Sequence, residues 1–249
     1  MLRLSKHARK AALTTTSVTV MAVLLTFIPV WIWLQIDPVI SKRDIYISCI
    51  VLPLLISPSC SIGIQRAHLK VRHLADRNEY LANHDELTGL PNRRAFFARA
   101  GALMGLPRPS TQVFACAIAD IDDFKSINDT AGHETGDLVL KALSTVLAEI
   151  APEDVTVARL GGEEFAMAGL FASEAAARIW FEALVREVAC RRPDGRKVTI
   201  SLGWCIAEAE ENMSAQLSRA DHALYQAKHG GKNRAVRAVS GGPRMIAVA

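Results

Sequence analysis

The sequence, 249 residues long, predicts an α/β domain with a central mixed, largely antiparallel sheet flanked by helices, preceded by a two-helix membrane hairpin. Two observations support this fold class. Short apolar runs, at 112–119, 155–160 and 165–170, alternate with longer stretches of helical character after residue 85, a pattern that α/β domains show. Upstream, two long stretches contain no charged residue.

The two uncharged stretches, at about 11–36 and 45–65, are each long enough for a helix to cross a hydrocarbon layer of about 30 Å. A cleaved signal peptide is the alternative for the first, but its apolar part is unusually long and a second span follows at once. Basic residues flank the pair on the same side. They are Arg3, Lys6, Arg9 and Lys10 before it, and Arg66, Lys70 and Arg72 after it. We therefore expect an inner (plasma) membrane protein with both termini and the domain in the cytoplasm.

Residues 66–84 form the predicted linker. Ile64, Val71 and Asn78 recur at intervals of one heptad, and a second apolar series, Ala67, Leu74 and Leu81, follows three positions later. This spacing favours a short parallel coiled coil, and therefore a homodimer. With fewer than three heptads, an ordinary amphipathic linker helix stays open as the alternative.

The net charge of +4 does not indicate nucleic-acid binding. Residues 1–84 carry 10 basic and 4 acidic residues, whereas residues 85–249 carry 19 and 21, so the basic excess belongs to the membrane flanks. The cysteines, at 49, 60, 116, 190 and 205, lack metal-site spacing, and in a cytoplasmic protein free thiols are expected.

Candidate functional residues follow the strand at 112–119. Asp120 and Asp122 lie at its carboxyl end, where α/β sheets usually bind ligands. The runs at 155–160 and 165–170 predict a hairpin whose turn contains Gly161 and Gly162, with Glu163 at its tip. If the hairpin lies beside the strand, Asp120 and Glu163 converge. Two such carboxylates would repel unless a cation such as Mg²⁺ lay between them.

Taken singly, these features have simpler explanations. A glycine pair before two acids is common in exposed hairpins, an acid at a strand end can cap a helix, and Asn128, Asp129 and Gly132 can shape a turn. His133 alone would be a surface histidine. Their occurrence together and in order favours a functional site.

Five segments in order resemble the GGDEF domain of diguanylate cyclases, here with the sequence GGEEF. They are DELTGLPNRRAF (85–96), DIDDFKSINDTAGHETGD (120–137), RLGGEEF (159–165), VTISLGWC (198–205) and ADHALYQAKHGGKNR (220–234). The resemblance covers residues 85–239, behind the membrane hairpin at 1–65 and the linker, with a flexible tail at 240–249. It implies the palm-like fold of nucleotidyl cyclases, with helices at about 93–103, 134–150, 173–189 and 215–228.

The resemblance implies that two GTP molecules condense into cyclic di-GMP, one GTP being held by each subunit of a homodimer. Asp120, Glu163 and the backbone carbonyl of Ile121 would bind two Mg²⁺ ions, for which Mn²⁺ can substitute. Glu163 is also the family's candidate for activating the ribose 3′-hydroxyl, and Glu164 matches a second acid that the family requires. Lys125 would stabilise developing negative charge.

The same resemblance assigns substrate contacts. The backbone amides of Asp123, Phe124 and Lys125 would bind the β- and γ-phosphates, as would the side chains of Lys228 and Lys232. Asn128 and Asp137 match the residues that read guanine, and His133 matches a position near the nucleoside. Lysine at 232 replaces the more usual arginine, which implies a weaker bidentate contact.

Two other functions stay open: a catalytically silent domain that binds nucleotide as a receptor or scaffold, and a cyclase with a different product. The intact glycine and acid motif argues against the first, and Asn128 with Asp137 against the second. Many family members are inhibited by their product through an RxxD motif upstream of the glycine pair. Here the two charged positions are Pro152 and Val155, so we expect no high-affinity inhibition through that site.

Overall fold

The computed structural model describes residues 16–18, 20–22, 24–28, 30–32, 35, 42–208 and 211–239. Of the 26 residues of the predicted first membrane span, at 11–36, 11 lie outside the described residues, and so does the whole of the predicted tail at 240–249. The chain divides into two compact units, Met1–Asn78 and Glu79–Ala249. Each is described by itself below.

A single helix, α1, runs without interruption over Lys42–Asn83, 42 residues in all. It includes both the predicted second membrane span and the predicted linker. Among the described residues, no helix has the length and the apolar character required to cross a membrane. The two-span hairpin is therefore not confirmed and stays a prediction.

The apolar series of the predicted coiled coil is exposed along α1. Ile64 is 58% exposed, Val71 63% and Leu74 48%. A helix with these side chains in contact with water is consistent with either a coiled-coil partner or a free amphipathic helix, so both alternatives stay open.

The second unit alternates helices with strands. In chain order its elements are α2 (Arg93–Met104), β1 (Val113–Ile121), α3 (Phe124–Ala131), α4 (His133–Ile150), β2 (Val155–Gly161), β3 (Glu164–Phe171), α5 (Glu174–Arg191), a 3-10 turn (Pro193–Gly195), β4 (Ile200–Ile206), α6 (Met213–His229) and β5 (Ala235–Arg237). The four predicted helices end within about two residues of α2, α4, α5 and α6. The sequence did not predict α3 or β5, which are both short.

In the described part of the chain the strands form one sheet in the order β2-β3-β1-β4-β5. Neighbours are antiparallel except for β4 and β5, which are parallel. The prediction of a mixed, largely antiparallel sheet is confirmed. Because β1 is central, the residues at its carboxyl end lie between β3 and β4.

Alternating side chains of β1 fill two cores, one on each face of the sheet. Ala117 and Ile121 pack with α4 and α5 residues such as Leu143 and Phe181. Phe114 and Cys116 belong to the opposite core, which α2 and α6 cover. Since every β1 residue after Val113 is buried, the strand reads as a continuous apolar run until Asp120.

Side-chain caps fix where the covering helices begin. The amide oxygen of Asn92 accepts a hydrogen bond from Ala95 N at 3.0 Å, and Asn212 caps α6 through Ala215 N at 2.9 Å. Ser173 caps α5 in the same way. Each cap satisfies an amide that the first helical turn would otherwise leave unpaired.

Gly203 in β4 allows α6 to lie directly on the sheet. A Cβ at this position would collide with backbone atoms of Ala220, Ala223 and Leu224. We therefore expect Gly203→Ala to lower the free energy of unfolding by about 1–3 kcal/mol or more, because backbone cannot move aside as a side chain can. Chemical denaturation of the purified protein measures this change.

Gly101→Ala is the matched control for this prediction. Gly101 lies inside α2, and a Cβ added there would meet nothing within 4 Å. The same added methyl group should therefore stabilise the protein by about 0.5–1 kcal/mol through helix propensity. Equal effects of the two substitutions would contradict the close contact between β4 and α6.

Candidate active site

Two acidic residues meet where β1 and β3 lie side by side. Asp120, the penultimate residue of β1, is the Cα partner of Glu164, which begins β3. Glu163 precedes it in the hairpin turn. The predicted neighbourhood of strand and hairpin is thus confirmed, and it brings the carboxylates of Asp120 and Glu163 to the same edge of the sheet.

Asp120 is a buried acid with one partnered oxygen. Only 6% of the residue is exposed. Its Oδ2 lies 2.8 Å from the Nζ of Lys228, whereas Oδ1 is buried without a hydrogen-bond partner in the described part of the chain. Burial raises the pKa of Asp120, and the nearby Lys228 only partly opposes that shift. The unpartnered oxygen is a buried acceptor that a hydrogen-bond donor or a metal ion would satisfy.

The pKa of Glu163 is also raised, by burial and by the neighbouring Asp120. Burial raises the pKa of its carboxyl, and the negative charge of Asp120 raises it further, while Lys228 acts in the opposite direction. Glu164 is exposed and adds a smaller repulsion. A divalent cation stabilises neighbouring carboxylates in which the charge of one disfavours ionisation of the other.

The hairpin tip is held by Arg159, a residue to which the sequence analysis gave no role. Its Nε and one terminal nitrogen donate to the carbonyl oxygen of Gly162 at 2.9 and 2.7 Å, and the other contacts Asp85 Oδ1 at 2.9 Å. Gly161 and Gly162 both have positive φ, 146° and 52°, which explains the glycine pair. Arg159 therefore fixes the turn from which Glu163 projects.

The Asp85 carboxylate that contacts Arg159 is also held in place by hydrogen bonds from Thr88. Although burial acts to raise its pKa, hydrogen bonds from Thr88 and Arg159 lower the pKa overall. The Thr88 amide and hydroxyl donate to Oδ1 at 2.9 and 2.7 Å. Asp85 stands two residues before Leu-Thr-Gly and Arg159 two residues before the glycine pair. Opposite charges beside these two turns were the signal that could have indicated the contact.

Asp122 has a structural part in the site. Its carboxylate accepts hydrogen bonds from the hydroxyls of Thr199 and Ser201 at 2.7 and 2.6 Å and from the amide of Asn233 at 3.0 Å. It thereby joins the ends of β1 and β4 to the loop after α6. Two polar residues at alternate positions of an otherwise apolar run, 198–205, were the available signal that β4 contacts a buried acid.

The expected phosphate contacts surround the start of α3. Asp123 adopts the left-handed conformation, with φ 57°, and in the described part of the chain its side chain makes no capping hydrogen bond. The first-turn amides of Phe124 and Lys125 are therefore available to an anion. Phe124 is buried and Lys125 is exposed. Lys232 lies on the same side, with its Nζ 2.6 Å from Asp123 Oδ1, which raises the pKa of the lysine.

The expected guanine-reading residues lie where α3 meets α4. Asn128 Oδ1 is buried without a described hydrogen-bond partner, and a Cβ at Gly136 would collide with it. The absence of that Cβ lets the two helices approach. Asp137, the next residue along α4, is exposed, and so is His133 in its first turn. An unsatisfied amide oxygen beside an exposed carboxylate suits a ligand that offers hydrogen-bond donors.

The residues present fit a hard divalent cation only if other ligands complete its shell. Among the described residues, no three His, Cys, Asp or Glu side chains are grouped as a metal site. Asp120 and Glu163 supply carboxylates, and the backbone of buried Ile121 lies beside Asp120. Mg²⁺ commonly binds through one or two carboxylates together with phosphate oxygens and water, so this limited set is compatible with it.

Cys116, Cys190 and Cys205 carry free thiols. The Sγ atoms of Cys116 and Cys205 lie 3.6 Å apart in the core between β1 and β4. Neither is near the acidic edge, so we assign them a packing role.

A family model described as "Diguanylate cyclase, GGDEF domain" matches residues 82–234. Diguanylate cyclase DgcM of Escherichia coli K12 is 35% identical over 170 residues, which cover 67% of this chain and 41% of that protein. Diguanylate cyclase DgcZ of the same organism is 36% identical over 169 residues, covering 65% and 56%. The chain thus spans about half the length of these two relatives or less.

Among solved structures, the chain is similar to the coiled coil and GGDEF domain of DgcB from Caulobacter crescentus in complex with c-di-GMP. The TM-score is 0.65 at 30% identity, and the match covers 73% of this chain and 100% of that one. Diguanylate cyclase SiaD from Pseudomonas aeruginosa, solved with its activator SiaC, matches with a TM-score of 0.58 at 27% identity, covering 92% and 89%.

Proposed function

Because the chain belongs to the GGDEF domain family, we propose that it is a diguanylate cyclase that condenses two GTP into cyclic di-GMP and two pyrophosphates. The observation that carries this proposal is the acidic edge itself. Asp120 has a buried oxygen without a described partner, and its negative charge raises the pKa of the nearby Glu163. That edge adjoins the free amides of α3 and two lysines, the combination that a metal-bound triphosphate requires.

In each half of the reaction, the 3′-oxygen of one GTP forms a bond to the α-phosphorus of the other. The bond from that phosphorus to the β-phosphate bridging oxygen breaks, and pyrophosphate leaves with its electron pair. The hydroxyl proton passes to a base, for which Glu163 is our candidate. Asp120, Glu163 and the Ile121 carbonyl would hold Mg²⁺, which when bound neutralises phosphate charge and polarises the α-phosphate.

The remaining residues position the substrate. The amides of Asp123, Phe124 and Lys125 bind the β- and γ-phosphates, with the ammonium groups of Lys125, Lys228 and Lys232 beside them. Asn128 and Asp137 then read guanine, because a carboxylate accepts from N1–H and N2–H, whereas adenine offers no such pair of donors. His133 contacts the nucleoside, and Glu164 supports the metal site.

The reaction requires two copies of this domain facing each other, so we propose a homodimer. The exposed apolar series on α1 supplies a surface for a parallel helix pair, and the similar structure of DgcB includes a coiled coil. We retain the membrane hairpin at residues 1–65 as part of the proposal on the strength of its uncharged stretches and basic flanks. GTP is cytoplasmic, which agrees with that orientation.

A silent nucleotide-binding domain is the competing proposal. It shares the phosphate and guanine contacts but needs no acidic edge. The orphaned Asp120 oxygen favours the enzyme, because a domain that only binds nucleotide gains nothing from a carboxylate whose pKa is raised by burial. Incubation of the purified protein with GTP and Mg²⁺, followed by mass spectrometry of the product, separates the two.

Asp120→Asn and Glu163→Gln should each reduce cyclic di-GMP formation by at least a hundredfold, because each removes an anionic oxygen from the metal site. Both variants should melt at or above the wild-type temperature in metal-free buffer at neutral pH. The reason is that burial raises both pKa values, so the ionised forms oppose folding and their removal does not.

Glu182→Gln controls for the loss of a carboxylate as such, since Glu182 is exposed on α5 and pairs only weakly with Arg178 at 3.9 Å. Its turnover should equal that of the wild type. Near-normal turnover in Asp120→Asn or Glu163→Gln would contradict the assignment of that residue as a metal ligand.

Deletion of residues 1–63 should move the protein from the membrane fraction to the soluble fraction and leave low activity. Fusion of a parallel dimeric coiled coil in register with α1 should restore it, because dimerisation raises the effective concentration of the second half-site. A fusion offset by half a heptad is the matched control and should restore less. Full activity in a monomeric truncation, independent of protein concentration, would refute the two-half-site mechanism.

Product inhibition through the loop before β2 should be absent. Pro152 is exposed but uncharged, and Val155 is buried in the core, so neither can bind phosphate or guanine. The exposed Glu153 and Asp154 repel a dianionic ligand. Initial GTP turnover should therefore stay constant as cyclic di-GMP is added to well above micromolar concentration. Strong inhibition that Glu153→Gln or substitution of Pro152 abolishes would contradict this expectation.

A further inference from the structure

Lys228 contacts the acid that the proposed function assigns to the metal. It lies in the last turn of α6, and its Nζ is 2.8 Å from Asp120 Oδ2. The carboxylate is nearly enclosed, with 9% of its side chain exposed, whereas the lysine side chain is 37% exposed. The ammonium therefore has a route to solvent that the carboxylate lacks.

Lys232, four residues further on, makes a superficially similar contact with a different consequence. Its Nζ lies 2.6 Å from Asp123 Oδ1, but the Asp123 side chain is 65% exposed. Asp123 contributes only its backbone amide to the proposed site. The two lysines thus have comparable exposure and each pairs with an acid, yet only Lys228 pairs with a buried one.

One buried carboxylate cannot neutralise both an ammonium group and a divalent metal ion. Without an additional anion, the two cations repel each other. Asp120 Oδ1 is free of described partners, so a metal ion has an oxygen to bind, but it would then stand close to the ammonium on Oδ2. Repulsion between like charges is weakly screened where solvent is largely excluded. One of the two cations must leave, or an added anion must lie between them.

We propose that Lys228 is an exchangeable cation on Asp120: it occupies the acid when nucleotide is absent, competes with the divalent metal there, and transfers to the triphosphate when nucleotide and metal bind together. The proposal rests on the proposed function for the identity of metal and nucleotide. Its consequence is that Lys228 weakens metal binding in the absence of nucleotide and makes the two ligands bind cooperatively. By linkage, each ligand then raises the affinity of the other by the same factor.

The test is a titration of the purified full-length protein with Mn²⁺, followed by electron paramagnetic resonance of the free ion, with and without a GTP analogue whose α–β bridge is a methylene group. Without nucleotide, Lys228→Met should bind Mn²⁺ about three- to fivefold more tightly than the wild type, as expected for the loss of one partly exposed ion pair. The analogue should strengthen Mn²⁺ binding by a larger factor in the wild type than in Lys228→Met.

Lys232→Met is the matched control, since it removes the same charge from the same segment but leaves Asp120 paired. It should change nucleotide-free Mn²⁺ affinity less than twofold. Lys228→Arg keeps the positive charge, so its nucleotide-free Mn²⁺ affinity should stay near that of the wild type. Thermal melting of each variant confirms that it is folded before titration.

Unchanged Mn²⁺ affinity in Lys228→Met, or an equal gain in Lys232→Met, overturns the exchange. If none of the folded variants binds Mn²⁺, the exchange and the metal assignment fail together. If the Mn²⁺ results are as expected but GTP yields no cyclic di-GMP, only the cyclase assignment fails.

Discussion

The site depends on one buried carboxylate that is not expected to touch substrate. Asp122 accepts one hydroxyl hydrogen bond from Ser201 in β4, a second from Thr199 just before that strand, and an amide hydrogen bond from Asn233. A largely buried carboxylate is tolerated only when hydrogen-bond donors surround it. Separating the end of β1 from the start of β4 or from the loop after α6 would leave it without those donors, so the three segments are held together. The loop so fixed is the one that follows Lys228 and contains Lys232. Lys232, the residue before Asn233, thereby obtains a defined position from an acid that performs no chemistry in our proposal.

Regular elements with strong patterns could be predicted from the sequence. The apolar run that becomes β1 and the glycine-centred hairpin identified the acidic edge, because period and turn chemistry are local properties. The short helix α3 was missed, since its eight residues contain Ser, Asn, Asp and Thr, which favour turns when judged alone. Packing against α4, where Gly136 removes the Cβ that would touch Asn128, stabilises the helix instead.

Partnerships between distant residues were not accessible in the same way. Asp85 and Arg159 are separated by 74 positions, and Lys228 and Asp120 by more than a hundred. The resemblance suggested which lysines face phosphate, but not that one of them rests on a buried acid. Such a contact depends on where α6 crosses the sheet, which Gly203 determines through backbone contacts. Charge pairing of this kind follows from tertiary geometry rather than from local preference.

Arg159 contacts both Asp85 and the Gly162 carbonyl, so the position of the hairpin tip is coupled to the position of Asp85. Asp85 follows the last residue of α1 by two positions. The hydrogen bonds from Arg159 to Gly162 and Asp85 are 2.9 Å or shorter. A shift of α1 along its axis by one helical turn displaces the chain by about 5 Å, well beyond the range over which a hydrogen bond persists. A movement of that size at Asp85 therefore breaks its hydrogen bond to Arg159 unless the hairpin turn that presents Glu163 moves with it.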